Sequence, residues 1–316
     1  MTIQTVHSHT APTLHEWSAQ MKTVAVIGLG QMGTKLASLL LQAGMEVHVW
    51  NRTPDKAASL ASHGAIVADT AAQAAAAAEA VVICVHDYAA THAILSGDGV
   101  KAALKGKLVL QLTTGSPQDA KELAAVAREV GAGYLDGAIQ VAPEQMGQPD
   151  TTILVSGSRA AHADARDLLA ALGGNIVYLG EDAAAAATMD LATLSYVYGA
   201  SMGFFQGAAL AQAEGLDVGV YGGIVEAMSP SFGAFLRHEG NVIEKGDFAI
   251  SQSPLSISVD ATRRIEEAMR RQGLRSELPA LIAQLLRDAE DAGYANEEFA
   301  AVTKILRGAA APTSVG

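Results

Sequence analysis

The run VAVIGLGQMG, residues 24–33, decides how the chain is read. Four small-to-medium apolar residues, Val24 to Ile27, lead straight into Gly28, Gly30 and Gly33, and a helix-like segment follows. The spacing is G-x-G-x-x-G at the exit of a strand. The three glycines serve different physical ends. Gly28 permits a tight turn, Gly30 lets the backbone approach phosphates, and Gly33 lets the helix pack closely on the strand. A pyrophosphate then meets the free N–H groups of a helix N-terminus. With Leu29, Gln31 and Met32 between them, these glycines are the first candidate cofactor residues. The hexamer specifies little by itself; its context, strand before, helix after and suitable residues past the next strand, has to agree.

The context does agree. QMGTKLASLLLQAG keeps its apolar residues at helical spacing and stops at Gly44, a C-terminal breaker. EVHVW (46–50) reads as the second strand and ends in Asn51-Arg52-Thr53. In dinucleotide sites an acid near this point selects NAD by accepting from the ribose 2′-hydroxyl, whereas Arg favours a 2′-phosphate. No acid is present. Arg52 and Thr53 can both bond a phosphate, Lys56 adds charge a turn further on, and Asn51 falls near the expected separation from the glycines. The cofactor reading is therefore NADP(H).

Further along, AVVICV (80–85), KLVLQL (107–112), GYLDGAI (133–139), TTILVSG (151–157) and NIVYLG (175–180) read as strands. Between them lie the Ala-rich segment 71–80, a loop and helix over 88–104, a helix opened by Ser116 and Pro117, and a helix over 159–172. Strands alternating with helices predict a parallel sheet wound on both faces, a Rossmann-type α/β domain over 21–182 after a polar tail at 1–20. Val85, His86 and Thr113 sit on loops at strand ends, where the cofactor should pass.

From Asp182 the strand signals stop. Residues 183–214 read as one long inter-domain helix ended by Gly215. Its glycines at 199, 203 and 207 share one face, and three mid-helix glycines cost roughly 1 kcal/mol each against Ala, which predicts close approach of another helix or a subunit. The remainder, 215–316, reads as an all-α C-terminal domain, with separate helices near 217–228, 230–239, 260–272, 277–292 and 296–306 and a looser stretch from Gly240 to Ser258.

Composition narrows the function. The chain has 316 residues, half of them hydrophobic and 17% charged, which suits two well-buried domains. A net charge of −12 argues against nucleic acid or an anionic membrane as partner. The single cysteine, Cys84, excludes an internal disulfide and a Cys-based zinc site, and its apolar setting makes it a small core residue. His86 and His92 have no third ligand near them in sequence, so no metal is expected. Leu191–Ala213 has the length of a membrane span but no basic anchors, so a buried helix is expected instead. Residues 1–20 lack a secretory core, and a cytoplasmic location is expected.

These pieces resemble a family. VAVIGLGQMG, the Asn-Arg-Thr after the second strand and AGYANEEFAAV (292–302) are similar to the β-hydroxyacid dehydrogenase superfamily. More narrowly, QLTTGSP (111–117), GYLDGAIQVAP (133–143) and TMDLATL (188–194), in that order, resemble imine reductases and reductive aminases. In hydroxyacid dehydrogenases a lysine lies near the start of the long helix with an asparagine one turn later; here Asp190 and Leu194 stand in those places. The resemblance thus implies hydride transfer from NADPH to the carbon of a C=N bond, with Asp190 catalytic. The chemistry agrees: a carboxylate beside an iminium stabilises its charge, a neutral carboxyl can donate the proton, and a lysine would repel the cation.

By the same resemblance Tyr198, two turns on from Asp190, contacts substrate, and Thr114 replaces an Asn or Ser near the nicotinamide. The substrate would be an imine, or a ketone plus an amine, and two subunits would interlock through the long helix as a homodimer. The rival expectations are an NADP-dependent β-hydroxyacid dehydrogenase and a non-catalytic NADP(H)-binding protein.

Overall fold

The computed structural model describes residues 21–308, so the 1–20 tail lies outside the described residues. Chain packing divides the described residues into two units, with the boundary between Tyr196 and Val197.

In the first unit β1 (Thr23–Ile27) ends in the glycine turn. Helix α1 (Gln31–Gln42) follows, burying Gly33, Leu36, Ala37 and Leu40, the i, i+3, i+4, i+7 stripe of a helix laid on a sheet. After β2 (Glu46–Trp50) and the single turn α2 (Ala58–Ala61), a two-residue strand β3 (Ile66–Val67) closes that edge. Helix α3 (Ala71–Ala77) is capped by the Thr70 hydroxyl and leads to β4 (Ala80–Ile83). Asp87 caps α4 (Tyr88–Leu95), which is followed by the short α5 (Val100–Ala103) and β5 (Leu108–Gln111). Ser116 opens α6 (Pro117–Val130) with a complete capping box to Asp119, Pro117 takes the first helical position, and Gly131 ends the helix at φ 74°. Then come β6 (Gly133–Ile139), β7 (Thr152–Gly157), α7 (Arg159–Asp164), α8 (Arg166–Leu172) and β8 (Asn175–Tyr178).

The eight strands lie in the order β3-β2-β1-β4-β5-β6-β7-β8. Side chains alternate between two cores: Val24, Val26, Val47 and Val82 join α1 on one face, and Ala25, Ile27, Val81 and Ile83 join Leu123 of α6 on the other. The sheet is not wholly parallel as expected. β6 and β7 run antiparallel, with Asp136 opposite Ser156. Only residues 140–151 connect them, with one 3-10 turn at Pro143–Gln145, and no crossover helix is available to return the chain parallel. The helix expected over 159–172 is two pieces, α7 and α8, meeting at Ala165.

The long helix α9 (Ala185–Ala213) starts on the sheet, where Ala186 packs with Ala138 and Leu154. The Ser156 hydroxyl fastens its first turn, donating to the Ala183 carbonyl and accepting from the Ala186 N–H.

In the second unit α10 (Val218–Lys245) is one helix where a break near 229 and a looser stretch from Gly240 were expected. Pro230 lies inside it. Proline removes one backbone bond and crowds the preceding turn, but the Ser229 and Ser231 hydroxyls on either side donate to the Val225 and Met228 carbonyls. The irregular stretch is shorter than expected, from Gly246 (φ 68°) to Pro254. Helices α11 (Leu255–Arg271) and α12 (Glu277–Ala289) then pack around Leu255, Val259 and Leu286, and α13 (Thr303–Leu306) ends the described chain. On the glycine face, a Cβ at Gly207 would collide with Tyr221 of α10, while Gly199 and Gly203 face open space in the single chain. Among the described residues no helix is long and apolar enough to cross a membrane.

Candidate functional site

The sheet order reverses between β1 and β4, and α/β sheets bind their ligands outside the strand ends at such a point. A cleft of about 770 Å³ opens there. Gly28 to Gly33 form its floor, including Leu29, Gln31 and Met32. Gly28 takes φ 99°, and a Cβ on it would meet the Cys84 carbonyl and approach Val85 Cγ1 to 2.7 Å. A Cβ on Gly33 would run into the Gly28 carbonyl, whereas one on Gly30 would meet nothing within 4 Å. The three glycines therefore divide the work as the sequence indicates, into turn, open backbone and close packing.

At the β2 end Asn51, Arg52, Thr53 and Lys56 border the cleft. Asn51 works through the backbone. Its Oδ1 accepts from the Leu29 N–H at 2.9 Å and its Nδ2 donates to the Thr53 carbonyl at 2.9 Å, tying the glycine turn to the cationic turn. Arg52, Thr53 and Lys56 are exposed, two cations and a hydroxyl around one mouth. The cradle that a Cβ would fill, the helix N-terminus and this cationic rim together fit a phosphorylated dinucleotide. Sequence reasoning missed the apolar wall opposite, where Trp50, Ala71, Ala72, Ala90, Ala93 and Ile94 face the cleft from β2, α3 and α4. Alanines at helical spacing read as helix filler, and nothing in their sequence marks them as a wall.

Val85 and His86 line the cleft beyond β4. Thr113 does not line it but holds it: its Oγ1 accepts from the Val85 N–H at 3.0 Å, and it is buried. Thr114 is exposed beside it. Burial pushes the Cys84 thiol up to about 11, which keeps it in the unreactive protonated form.

Asp190, an ionisable side chain, is buried in the second turn of α9, 5% exposed. Its Oδ1 accepts from Gln140 Nε2 at 2.7 Å. Thr193 Oγ1 donates to Gln140 Oε1 at 2.7 Å, which fixes the glutamine so that its amide faces the carboxylate. Gln140 and Thr193 were not singled out in the sequence, because both are ordinary polar residues at element ends. Tyr198 lies two turns further along α9 and is 69% exposed, so it is no core aromatic in this chain; Tyr196 is exposed too.

Two groups could gather a cation by geometry, His92–Asp119–Glu122 and His238–Glu239–Glu298. The first gives His92 the companions it lacks in sequence, because α6 brings its acids beside α4. The second has a structural role instead. Glu298 accepts from the Ser251, Gln252 and Ser253 N–H groups and from the Ser251 hydroxyl, holding the 246–254 loop. Burial pushes its carboxyl up, but these donors outweigh burial and hold it down at about 2.

Residues 23–180 match the family described as the NAD binding domain of 6-phosphogluconate dehydrogenase, and 182–308 match the NADPH-dependent reductive aminase-like C-terminal domain. The chain is 30% identical to an NADPH-dependent reductive aminase of Aspergillus oryzae, over 90% of this chain and 97% of that one. Among solved structures, an imine reductase from Myxococcus stipitatus in complex with NADP+ superposes with TM-score 0.84 at 32% identity, covering 90% of this chain and 99% of the other. A reductive aminase from Aspergillus terreus in complex with NADPH and ethyl levulinate superposes with TM-score 0.81 at 33% identity, covering 90% and 98%.

Proposed function

The chain belongs to the NADPH-dependent imine reductase and reductive aminase family of oxidoreductases, and on that premise we propose that it reduces cyclic or preformed imines to amines. NADPH, bound in the cleft between β1 and β4, supplies the hydride from C4 of its nicotinamide. The glycine turn and α1 receive the pyrophosphate, and Arg52, Thr53 and Lys56 receive the 2′-phosphate. Asn51 keeps those two turns in register. Val85 and His86 border the nicotinamide half, and Thr113 holds Val85 in place. In this reading residues 21–182 carry the cofactor, 183–214 link the domains and 215–316 form the helical domain.

One observation carries the substrate side: a buried carboxylate, Asp190, near the start of α9, with Gln140 as its hydrogen-bond donor and no basic residue paired with it in the described ion pairs. A carboxyl group in this setting can stabilise the positive charge of an iminium, where a lysine would repel it. Asp190 stabilises the protonated C=N while hydride adds to its carbon; Tyr198 and Thr114 contact the substrate. A ketone with an amine is the second substrate pair, on the strength of the reductive aminase relatives.

The working unit is proposed to be a homodimer. Val197 and Phe205 on α9 and Val220 and Ile224 on α10 are each about half exposed or more in the single chain. Apolar residues in that number support a partner surface, and Gly199 and Gly203 supply room for close approach.

Absorbance of NADPH with a 1-pyrroline-type imine, set against a β-hydroxyacid with NADP+, tests the reading. Imine turnover that falls at least about tenfold in Asp190→Ala is expected from the usual size of acid–base contributions. Hydroxyacid oxidation without imine reduction would overturn it.

A further inference from the structure

A second buried carboxylate lies near Asp190. Residues Tyr134, Asp136 and Ala138 alternate onto one face of β6, and Gln140 follows just past its end. Asp136 is 2% exposed, and none of the ion pairs among the described residues includes it. Two phenols satisfy it: Tyr88 Oη donates to its Oδ1 at 2.5 Å and Tyr134 Oη donates to the same oxygen at 3.0 Å. Tyr88 is the first residue of α4, and one edge of its ring lies against Gly115, so closely that any Cβ there would overlap Cδ2 and Cε2. Gly115 sits in the loop between β5 and α6. That loop is fastened at Thr113 to Val85 beside the cleft and at Ser116 by the capping box. Buried Gln111 supports it from below, donating to Thr91 of α4 at 3.1 Å.

We propose that Asp136 is a positioning residue for hydride transfer: as an anion it grips the Tyr88 hydroxyl, and through the Tyr88 ring it sets the Thr113–Gly115 loop at the nicotinamide side of the cleft. This rests on the cofactor placement given above. A neutral acceptor would satisfy two phenols without burying a charge. A charge-assisted O–H···O⁻ bond is shorter and roughly twice as strong, and that is what a loop packed on a ring edge gains from it.

The charge is also conditional. Burial pushes the Asp136 carboxyl up, the Tyr88 and Tyr134 hydroxyls pull it down, and the Asp190 charge on α9 pushes it up again, leaving it at about 6. Tyr88 and Tyr134 are themselves pushed up, by burial first and then by Asp136, so both stay protonated donors; Asp119 of α6 adds to the effect on Tyr88. Below about pH 6 Asp136 becomes neutral and the grip on the loop weakens.

The test uses the full chain, NADPH and a preformed cyclic imine from pH 5 to pH 9. The wild-type protein is expected to show an acid limb in kcat near pH 6. Asp136→Asn should remove that limb and lower kcat about tenfold at pH 8, with NADPH affinity within about twofold. Tyr88→Phe, which keeps the ring but removes the hydroxyl that Asp136 grips, should likewise flatten the limb and lower kcat at pH 8. If the limb stands unchanged in both variants, Asp136 is merely structural and the proposal fails; Tyr88→Phe alone decides if the Asn variant does not fold. Fluorescence of bound NADPH separates this from the activity reading. If no imine turns over, a transition near pH 6 in that signal, lost in Asp136→Asn, still supports the positioning role, and no transition overturns it.

Discussion

Replacing Asp136 by Asn should stabilise the protein at neutral pH, by an amount that grows with pH. An aspartate in an unfolded chain titrates near 3.9; in the fold, burial and the neighbouring Asp190, opposed by the two phenols, put Asp136 at about 6. Between those values the folded state holds more protons than the unfolded state, so stability falls as pH rises through this window. Below about pH 4 the carboxyl is neutral in both states and there is no penalty. Above about pH 6 the penalty is complete. A separation of roughly two pH units at 1.4 kcal/mol each makes it about 3 kcal/mol. Asn incurs no such penalty at any pH, and its carbonyl oxygen can accept from Tyr88 and Tyr134. Urea unfolding at fixed protein concentration, at pH 4.5, 6 and 8, measures the difference. The Asn variant should be more stable than wild type by only about 1 kcal/mol at pH 4.5 and by about 2–3 kcal/mol at pH 8. A difference that does not change with pH, or an Asn variant that is less stable at pH 8, would refute the argument. Greater stability together with lower kcat is what a charge retained for function produces.

Other positions give sharper yes-or-no results. Arg52→Ala should weaken NADPH by about 10- to 100-fold, the size of a charge-assisted phosphate contact, and leave NADH within about threefold, read by fluorescence titration. Gly33→Ala should abolish cofactor binding in a folded protein, because its Cβ would meet the Gly28 carbonyl; retained binding would contradict the packing role. Gly115→Ala should lower kcat with little change in NADPH affinity, since the methyl displaces the loop from the Tyr88 ring. Glu298→Gln should destabilise the second unit by at least ~2 kcal/mol, as four donors lose an ionised acceptor. Glu298 is held at about 2, below an ordinary carboxylate, so its contribution is present at neutral pH and is lost as pH falls from about 4 towards 2. Acid unfolding followed by circular dichroism checks both.

The fold was legible where one element's sequence determines its own environment. Central strands buried on both faces must be apolar throughout, so AVVICV and KLVLQL declare themselves. Ser116-Pro117 declares a helix start for equally local reasons. β3 did not, because two residues on an edge, Ile66 and Val67, are nearly half exposed and carry no pattern. The antiparallel turn at β7 was present in the sequence as a missing helix: residues 140–151 are too short and too irregular for a parallel crossover. Pro230 pointed the other way. It reads as a break, yet α10 continues through it, with serine hydroxyls bonding carbonyls on either side.

The candidate site divides along the same line. The glycine turn, Asn51, Arg52, Thr53 and Lys56 occupy two short segments whose spacing is set by one βαβ unit, so a fingerprint can find them. The Asp136 network draws on β6, α4 and the loop after β5, and only the sheet order places them together. Its residue types, tyrosine and aspartate in a strand, do not differ from ordinary interior residues. The structure also links the two carboxylates. Asp190's charge raises the proton affinity of Asp136, so a cation that docks at Asp190 offsets that repulsion and favours the ionised form of Asp136. Linkage is reciprocal: ionised Asp136 then favours the cation at Asp190 by the same factor. Near pH 6 and below, where Asp136 is only partly ionised, an iminium arriving at the site would therefore strengthen the grip on Tyr88 and the loop. A neutral ligand would leave that grip unchanged, so in the proposed reading this coupling would favour an iminium over a ketone in that pH range.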